Sequence, residues 1–216
     1  LITAKGSGML VNGSTVTITS GGDYNISGTL NDGQIVIDAG KKDKVRLILN
    51  GVNIHCETSA CILVKKADKC VIKLAEGSTN YLSDGTSYTY SDVTVKEPNA
   101  VIFANSDLKL SGEGSMYISA IFAHAIRSKN DIAVTGGNWT LEAATDAVKA
   151  KNSIVITGGV ITATAGNDGL QVAGDETDKT KGYFSMTGGS VIVTSTQDGI
   201  QAVTDVMISG GVLDII

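Results

Sequence analysis

The sequence predicts an all-β fold, a right-handed parallel β-helix: one solenoid wound from coils of about 22 residues. Three observations predict it. A Gly-Gly segment recurs at a set spacing, a second landmark built on Asp keeps the same step, and short runs around both alternate apolar with polar residues.

Thr135-Gly136-Gly137-Asn138-Trp139-Thr140-Leu141 aligns with Thr157-Gly158-Gly159-Val160-Ile161-Thr162-Ala163. Thr187-Gly188-Gly189-Ser190-Val191-Ile192-Val193 and Ser209-Gly210-Gly211-Val212-Leu213 follow the same pattern. The first glycines of the four segments are spaced 22, 30 and 22 residues apart, and Asp146, Asp168 and Asp198 are spaced 22 and 30. Both landmarks share one insertion, over residues 174–181. Ile154 and Ile156 precede a Gly-Gly turn, and Ile161, Ala163 and Ala165 follow it. Alternation with period two over so few residues is a half-buried strand. A single coil cannot bury its apolar face, whereas stacked coils share a continuous core. The runs are too short and Gly-interrupted for a helical solenoid, and parallel crossovers are right-handed by preference.

Upstream the period is looser. His124 to Ile132 matches Asp146 to Ile154 at a step of 22, and Val101 to Leu108 fits with a slightly longer turn. Cys61 to Val64, Val45 to Leu49 and Ile35 to Ile37 read as earlier strands. Residues 78–99 are polar, hold the single proline, Pro98, and read as a loop thrown out from one coil. The expectation is one domain over residues 1–216 with insertions at about 78–99 and 174–181. Because it starts at Leu1 and stops in mid-pattern, the chain reads as a trimmed fragment, with any signal peptide or anchor outside it.

Composition narrows the partners. The net charge is −5, and from Thr140 onward nine acids face four lysines. That placement argues against nucleic acid or an anionic membrane, and for a cation. No apolar run approaches the roughly 20 residues that a membrane helix needs. Cys56, Cys61 and Cys70 form no closed disulfide set and no CxxC zinc spacing; they read as small core residues, with a Cys56–Cys61 bridge as the alternative.

Stacking would set equivalent residues about 4.8 Å apart in columns. Asp146, Asp168 and Asp198 then form a carboxylate line, in which each adjacent pair repels by about 3 kcal/mol at an effective dielectric near 20. A Ca²⁺ ion relieves this, with Asn167 adding a carbonyl oxygen and the inserted Asp175, Glu176 and Asp178 closing over it. The competing reading is plain turn chemistry at Asp168-Gly169 and Asp198-Gly199. A second column three residues later, Arg127, Lys149, Gln171 and Gln201, faces solvent. Cations beside a calcium ion suit an acidic sugar polymer, and Lys149 or Arg127 is the candidate base for proton abstraction beside a uronate. A solvated charged face is the plainer alternative.

Aromatic faces are the other means of holding sugars. Tyr81, Tyr88 and Tyr90 cluster in the polar loop, and Tyr183 follows the acidic insertion. These four, with Gln171 and Gln201, are the candidate substrate-binding residues; packing of the loop onto the body is the alternative. Trp139 reads as core. His55 and His124 are isolated and form no triad or zinc motif.

The repeated Gly-Gly segments, the Asp-Gly-(Ile/Leu)-Gln motifs, and Asn99-Ala100-Val101-Ile102 with Ser106-Asp107-Leu108 resemble a family of secreted bacterial carbohydrate-binding proteins. These are polysaccharide-lyase-like right-handed β-helices of clostridia that degrade plant cell walls. Gly22 to Leu30, Gly33 to Ile37 and Val45 to Val52 resemble that family's opening coils. The resemblance implies Ca²⁺ binding in the Asp146, Asp168 and Asp198 column, attachment to cellulose or pectic acid, and a location outside the cell or on its surface. Asp146 lacks its Gly, and His124 stands where the next Asp would be. Three functions follow: calcium-dependent binding of plant polysaccharide, pectate-lyase-type β-elimination, and a structural stalk of adhesin or ice-binding type.

Overall fold

The computed structural model describes residues 2–90, 92–174, 177–178 and 180–216. The strands are β1 (Ile2–Lys5), β2 (Met9–Asn12), β3 (Thr15–Ile18), β4 (Gly22–Leu30), β5 (Gln34–Asp38), β6 (Lys44–Cys56) and β7 (Ile62–Lys66). There follow β8 (Lys69–Leu74), β9 (Thr79–Asp84), β10 (Ala100–Ala104), β11 (Asp107–Gly112), β12 (Ser115–Ala120), β13 (His124–Ser128) and β14 (Asp131–Ala143). The last are β15 (Val148–Ala150), β16 (Ser153–Ala165), β17 (Leu170–Val172), β18 (Tyr183–Ser195), β19 (Ile200–Ala202) and β20 (Val206–Ile215).

Two sheets hold them. One has eleven strands in the order β1-β4-β6-β8-β11-β14-β16-β18-β20, with β9 and β12 off this path; the other has nine, in the order β19-β17-β15-β13-β10-β7-β5-β3-β2. The fold is all-β, but the uniform right-handed parallel β-helix expected from the repeat is corrected by the pairing. Six parallel strands, β6-β8-β11-β14-β12-β9, close into a ring, because β9 pairs back onto β6. The remaining strands extend from this barrel-like ring, and the β1–β4 and β2–β3 pairs are antiparallel.

The cause lies in strand length. β6 and β14 each run thirteen residues and pair twice, with β8 or β11 along the first half and with β9 or β12 along the second. The Gly-Gly segments, expected as turns between two strands, lie inside single strands, and the register shifts there. Gly159 has φ of +87°, and a Cβ on it would stand 2.9 Å from the Gly136 carbonyl group. Gly189 sits the same way on Gly158 and Gly159. Bending and close stacking at one point demand glycine, and the repeat records that demand. A second difference concerns the expected loop at 78–99, whose first part is strand β9, Thr79–Asp84.

Parallel register produces the columns. Val16, Ile35, Ile62, Ile102, Ile126, Val148, Leu170 and Ile200 align across the second sheet and face the core. Each fully buried aliphatic side chain contributes about 1.5–3 kcal/mol. Cys56, Cys61 and Cys70 are free and buried, and burial pushes the Cys70 thiol up to about 12. They serve as core residues. The next position along each strand faces outward: Val36, Leu63, Phe103, Arg127, Lys149, Gln171 and Gln201. Val36, Leu63 and Phe103 are nonetheless buried, in a small separate cluster with Ala60 and Ala100.

Candidate functional site

Asp146, Asp168 and Asp198 stand in one line, but not as three free carboxylates. Asp146 Oδ1 accepts the backbone N–H of Asp168 at 3.2 Å, and Asp168 Oδ1 accepts the backbone N–H of Asp198 at 3.1 Å. The second oxygen of each accepts from the side chain three residues on: Lys149 Nζ at 3.0 Å for Asp146, Gln171 Nε2 for Asp168, and Gln201 Nε2 at 3.1 Å for Asp198. Asn167 Nδ2 adds a bond to Asp146 Oδ1 at 2.6 Å. Asp146 and Asp168 are buried, and Asp198 is exposed. The line is a ladder in which each carboxylate satisfies the backbone of the next repeat, a stronger arrangement than the self-capping turn expected from Asp-Gly. Gly169 is required for room: a Cβ there would collide with the Val193 side chain and the Gly199 carbonyl oxygen.

His124 caps the line. Its Nδ1 accepts the backbone N–H of Asp146 at 3.3 Å and lies 2.7 Å from Thr145 Oγ1. A backbone N–H only donates, so Nδ1 carries no proton and the ring is neutral. The 3.3 Å approach of Nδ1 to Asp146 Oδ2 is therefore not an ion pair. Burial drives His124 down to about 4, against the pull of Asp146. Burial alone would raise Asp146, but hydrogen bonds from Asn167 and Lys149 outweigh it and hold the carboxyl below its ordinary range.

This geometry does not fit a calcium ion in the column. Both oxygens of Asp146 and both of Asp168 accept protein N–H donors, and Asn167 presents its amide N–H to Asp146. A cation at Asp146 would compete with Lys149 for the same carboxylate oxygen. Among the described residues no group of three or more His, Cys, Asp or Glu side chains is placed to hold a metal ion. Asp178 is occupied within its own turn, where hydrogen bonds from Thr180 and Lys181 hold it down to about 2. Asp175 and Glu176 lie outside the described residues.

The second column is realised as aligned. Arg127, Lys149, Gln171 and Gln201 are register partners on β13, β15, β17 and β19. Arg127 hydrogen-bonds Asn99, pairs with Glu97 at 3.1 Å and lies over the Phe103 ring. Lys129 takes the other Glu97 oxygen at 2.7 Å. Arg127, Lys129, Lys149 and Lys151 line one cavity of about 190 Å³ that Gly174 borders. Lys151 is exposed. Four cations thus face two carboxylates, Glu97 and Asp146. The sequence showed two of the four cations; Lys129 and Lys151 were missed because each follows the column by two residues, just past the end of its strand.

The tyrosines divide. Tyr88 is buried, its ring stacked on Phe122 at 4.4 Å and its hydroxyl donating to Asp84 at 2.8 Å, so here the loop packs onto the body. Tyr90 and Tyr183 are half-buried. Tyr81 is exposed on β9, stacked on Tyr117 of β12 at 5.2 Å and 16°. Tyr117 was missed because the β9–β12 pairing is invisible in the spacing. His55 is not isolated: Nδ1 contacts Ser83 Oγ at 2.9 Å and Nε2 contacts Glu57 at 3.0 Å. Trp139 is core, as expected, with Nε1 donating to the Gly136 carbonyl oxygen.

Comparison with known proteins follows the same lines. A family model described as carbohydrate-binding domain-containing protein matches residues 12–216. A carbohydrate-binding domain-containing protein of Acetivibrio thermocellus is 42% identical over 136 residues, which are 63% of this chain and 48% of that protein. The match thus spans about half the length of that relative. The structure of the polysaccharide lyase-like protein from C. thermocellum, solved as a gadolinium derivative, superposes with a TM-score of 0.84 at 34% identity, covering 98% of this chain and 91% of that one. With this polysaccharide lyase-like fold and a match over nearly its whole length, the chain belongs to the carbohydrate-binding domain family.

Proposed function

We propose that the protein binds an acidic plant-cell-wall polysaccharide, polygalacturonate or a similar polyuronate, outside the cell and without turning it over. The cavity lined by Arg127, Lys129, Lys149 and Lys151 carries this reading. A uronate carboxylate finds there a net excess of positive charge and, in Arg127, a planar donor. Gln171 and Gln201 continue the line at strand spacing, about 4.8 Å, as a polar surface for sugar hydroxyls, although their amide N–H groups also bond Asp168, Asp198 and one another. Calcium is outside this reading, because the Asp line is spent on the backbone.

The lyase alternative is weaker on this geometry. Lys149 Nζ donates to the buried Asp146 carboxylate, and Arg127 is engaged by Glu97 and Asn99. A base must be free to take a proton, and neither group is. Retention on immobilised polygalacturonate, with product absorbance followed in the ultraviolet, tests the proposal. Retention without new absorbance supports it; unsaturated products, or no retention, overturn it.

A further inference from the structure

The geometry points to a separate hydrolytic site, in which Ser83, His55 and Glu57 act as nucleophile, base and orienting acid for cleavage of a neutral carboxylic ester. Ser83 is on β9, His55 is its register partner on β6, and Glu57 stands just past the end of β6. Ser83 Oγ lies 2.9 Å from His55 Nδ1, and His55 Nε2 lies 3.0 Å from Glu57 Oε2. An ionised carboxylate only accepts, so Nε2 carries the ring proton of the neutral imidazole. Nδ1 is then bare and accepts from the Ser83 hydroxyl, as activation of a serine requires.

The three residues are held in place. β9 pairs with β6 on one side and β12 on the other, which fixes the Ser83 backbone within the sheet. The Glu57 N–H donates to Asp32 at 3.1 Å. Gly85 leaves room for the Glu57 carboxylate, since a Cβ there would stand 2.7 Å from its Oε1. On the side away from His55, Ser83 borders a cavity of about 250 Å³. Ser119, its register partner on β12, lines the same cavity one strand spacing away, about 4.8 Å. The Ser119 hydroxyl is a donor for the carbonyl oxygen as that oxygen gains charge. The stacked rings of Tyr81 and Tyr117 give the cavity a flat apolar wall, and the exposed Glu142 opposes anions. A neutral ester carrying a flat aromatic group suits both.

In the reaction the Ser83 oxygen adds to the ester carbonyl carbon while its proton passes to His55 Nδ1. The bond from that carbon to the leaving oxygen breaks, the leaving oxygen takes the proton, and the acyl group stays on Ser83. Water then adds to the acyl carbon and gives a proton to Nδ1. The bond to Ser83 breaks, Ser83 recovers the proton, and a carboxylic acid departs. No glycosidic bond takes part, so this activity goes beyond polymer binding and is independent of it.

The full chain is assayed with p-nitrophenyl acetate, and separately treated with phenylmethylsulfonyl fluoride and mapped by mass spectrometry. Nitrophenolate release should fall at least about a hundredfold in Ser83→Ala and in His55→Gln, the scale of a lost nucleophile or base. Glu57→Gln removes only the orienting charge and should lower kcat roughly tenfold with KM unchanged. The sulfonyl adduct should sit on Ser83 and be absent from His55→Gln. Mapping on the unmodified chain tests the site without a variant that could unfold. No hydrolysis above the buffer rate, full activity in Ser83→Ala, or an adduct confined to other residues would overturn the inference.

Discussion

Asp146 and Asp168 are joined through the backbone: an oxygen of the first carboxylate accepts the N–H of the second residue at 3.2 Å. The same bond recurs from Asp168 to Asp198, and His124 Nδ1 substitutes for a carboxylate at the head of the line. The repeated Asp therefore serves the stacking of repeats, and N–H donors from the backbone, Lys149, Asn167 and Gln171 meet the carboxylates of the column.

Removing one rung should cost stability. Asp168→Ala leaves the Asp198 N–H without its acceptor and the Gln171 amide with Gln201 alone, a loss of about 1–3 kcal/mol. Asp168→Asn, which keeps an acceptor toward Asp198, should lose less. Denaturant unfolding of the two variants gives the order; equal stability of Asp168→Ala and the unmodified chain would show that the ladder contributes nothing.

Acid should loosen the head of the line. His124 is held neutral by burial, at about 4 against an ordinary 6.5, so the unfolded chain binds a proton that the folded chain refuses. The contribution is fully present above about 6.5 and is lost as the pH falls toward 4, amounting to about 3 kcal/mol below that range. Asp146, held low by Asn167 and Lys149, adds a further loss below its ordinary range. Asn at position 124 places an amide oxygen near the Nδ1 position and does not titrate. Melting temperatures of His124→Asn between pH 7 and 4 should accordingly be flatter than those of the unmodified chain; parallel curves would exclude His124 as the source.

The Gly-Gly segments should resist substitution in proportion to crowding. Gly159 and Gly51 both have positive φ, +87° and +75°, but only Gly159 has backbone within 3 Å of an added Cβ. Gly159→Ala should cost about 2–3 kcal/mol, and Gly51→Ala about 1 kcal/mol. Matching losses in thermal unfolding would mean that dihedral strain alone sets the demand for glycine.

The columns were legible because parallel pairing preserves spacing: the step of 22 that links Arg127 to Lys149 and Lys149 to Gln171 is the register itself. Closure of the six-strand ring was not legible. It depends on β6 and β14 pairing twice, and the spacing of Gly136-Gly137 reads equally well as a turn. Nor does a sequence say who owns a carboxylate. In the sequence Asp146 is an unassigned carboxylate; in the fold Lys149, Asn167 and the Asp168 N–H surround it. Tyr81 was found and Tyr117 missed for a related reason, since residues 85–99 break the step between them.

Retention on polygalacturonate in the presence of EDTA bears most directly on the central claim, that the cations of the second column hold an acidic polymer without calcium in the Asp line. The unmodified chain should be retained equally with and without EDTA and released as salt rises, and Lys129→Ala/Lys151→Ala should lose at least tenfold in affinity. Loss of retention in EDTA, or full retention by the double variant, would contradict the account.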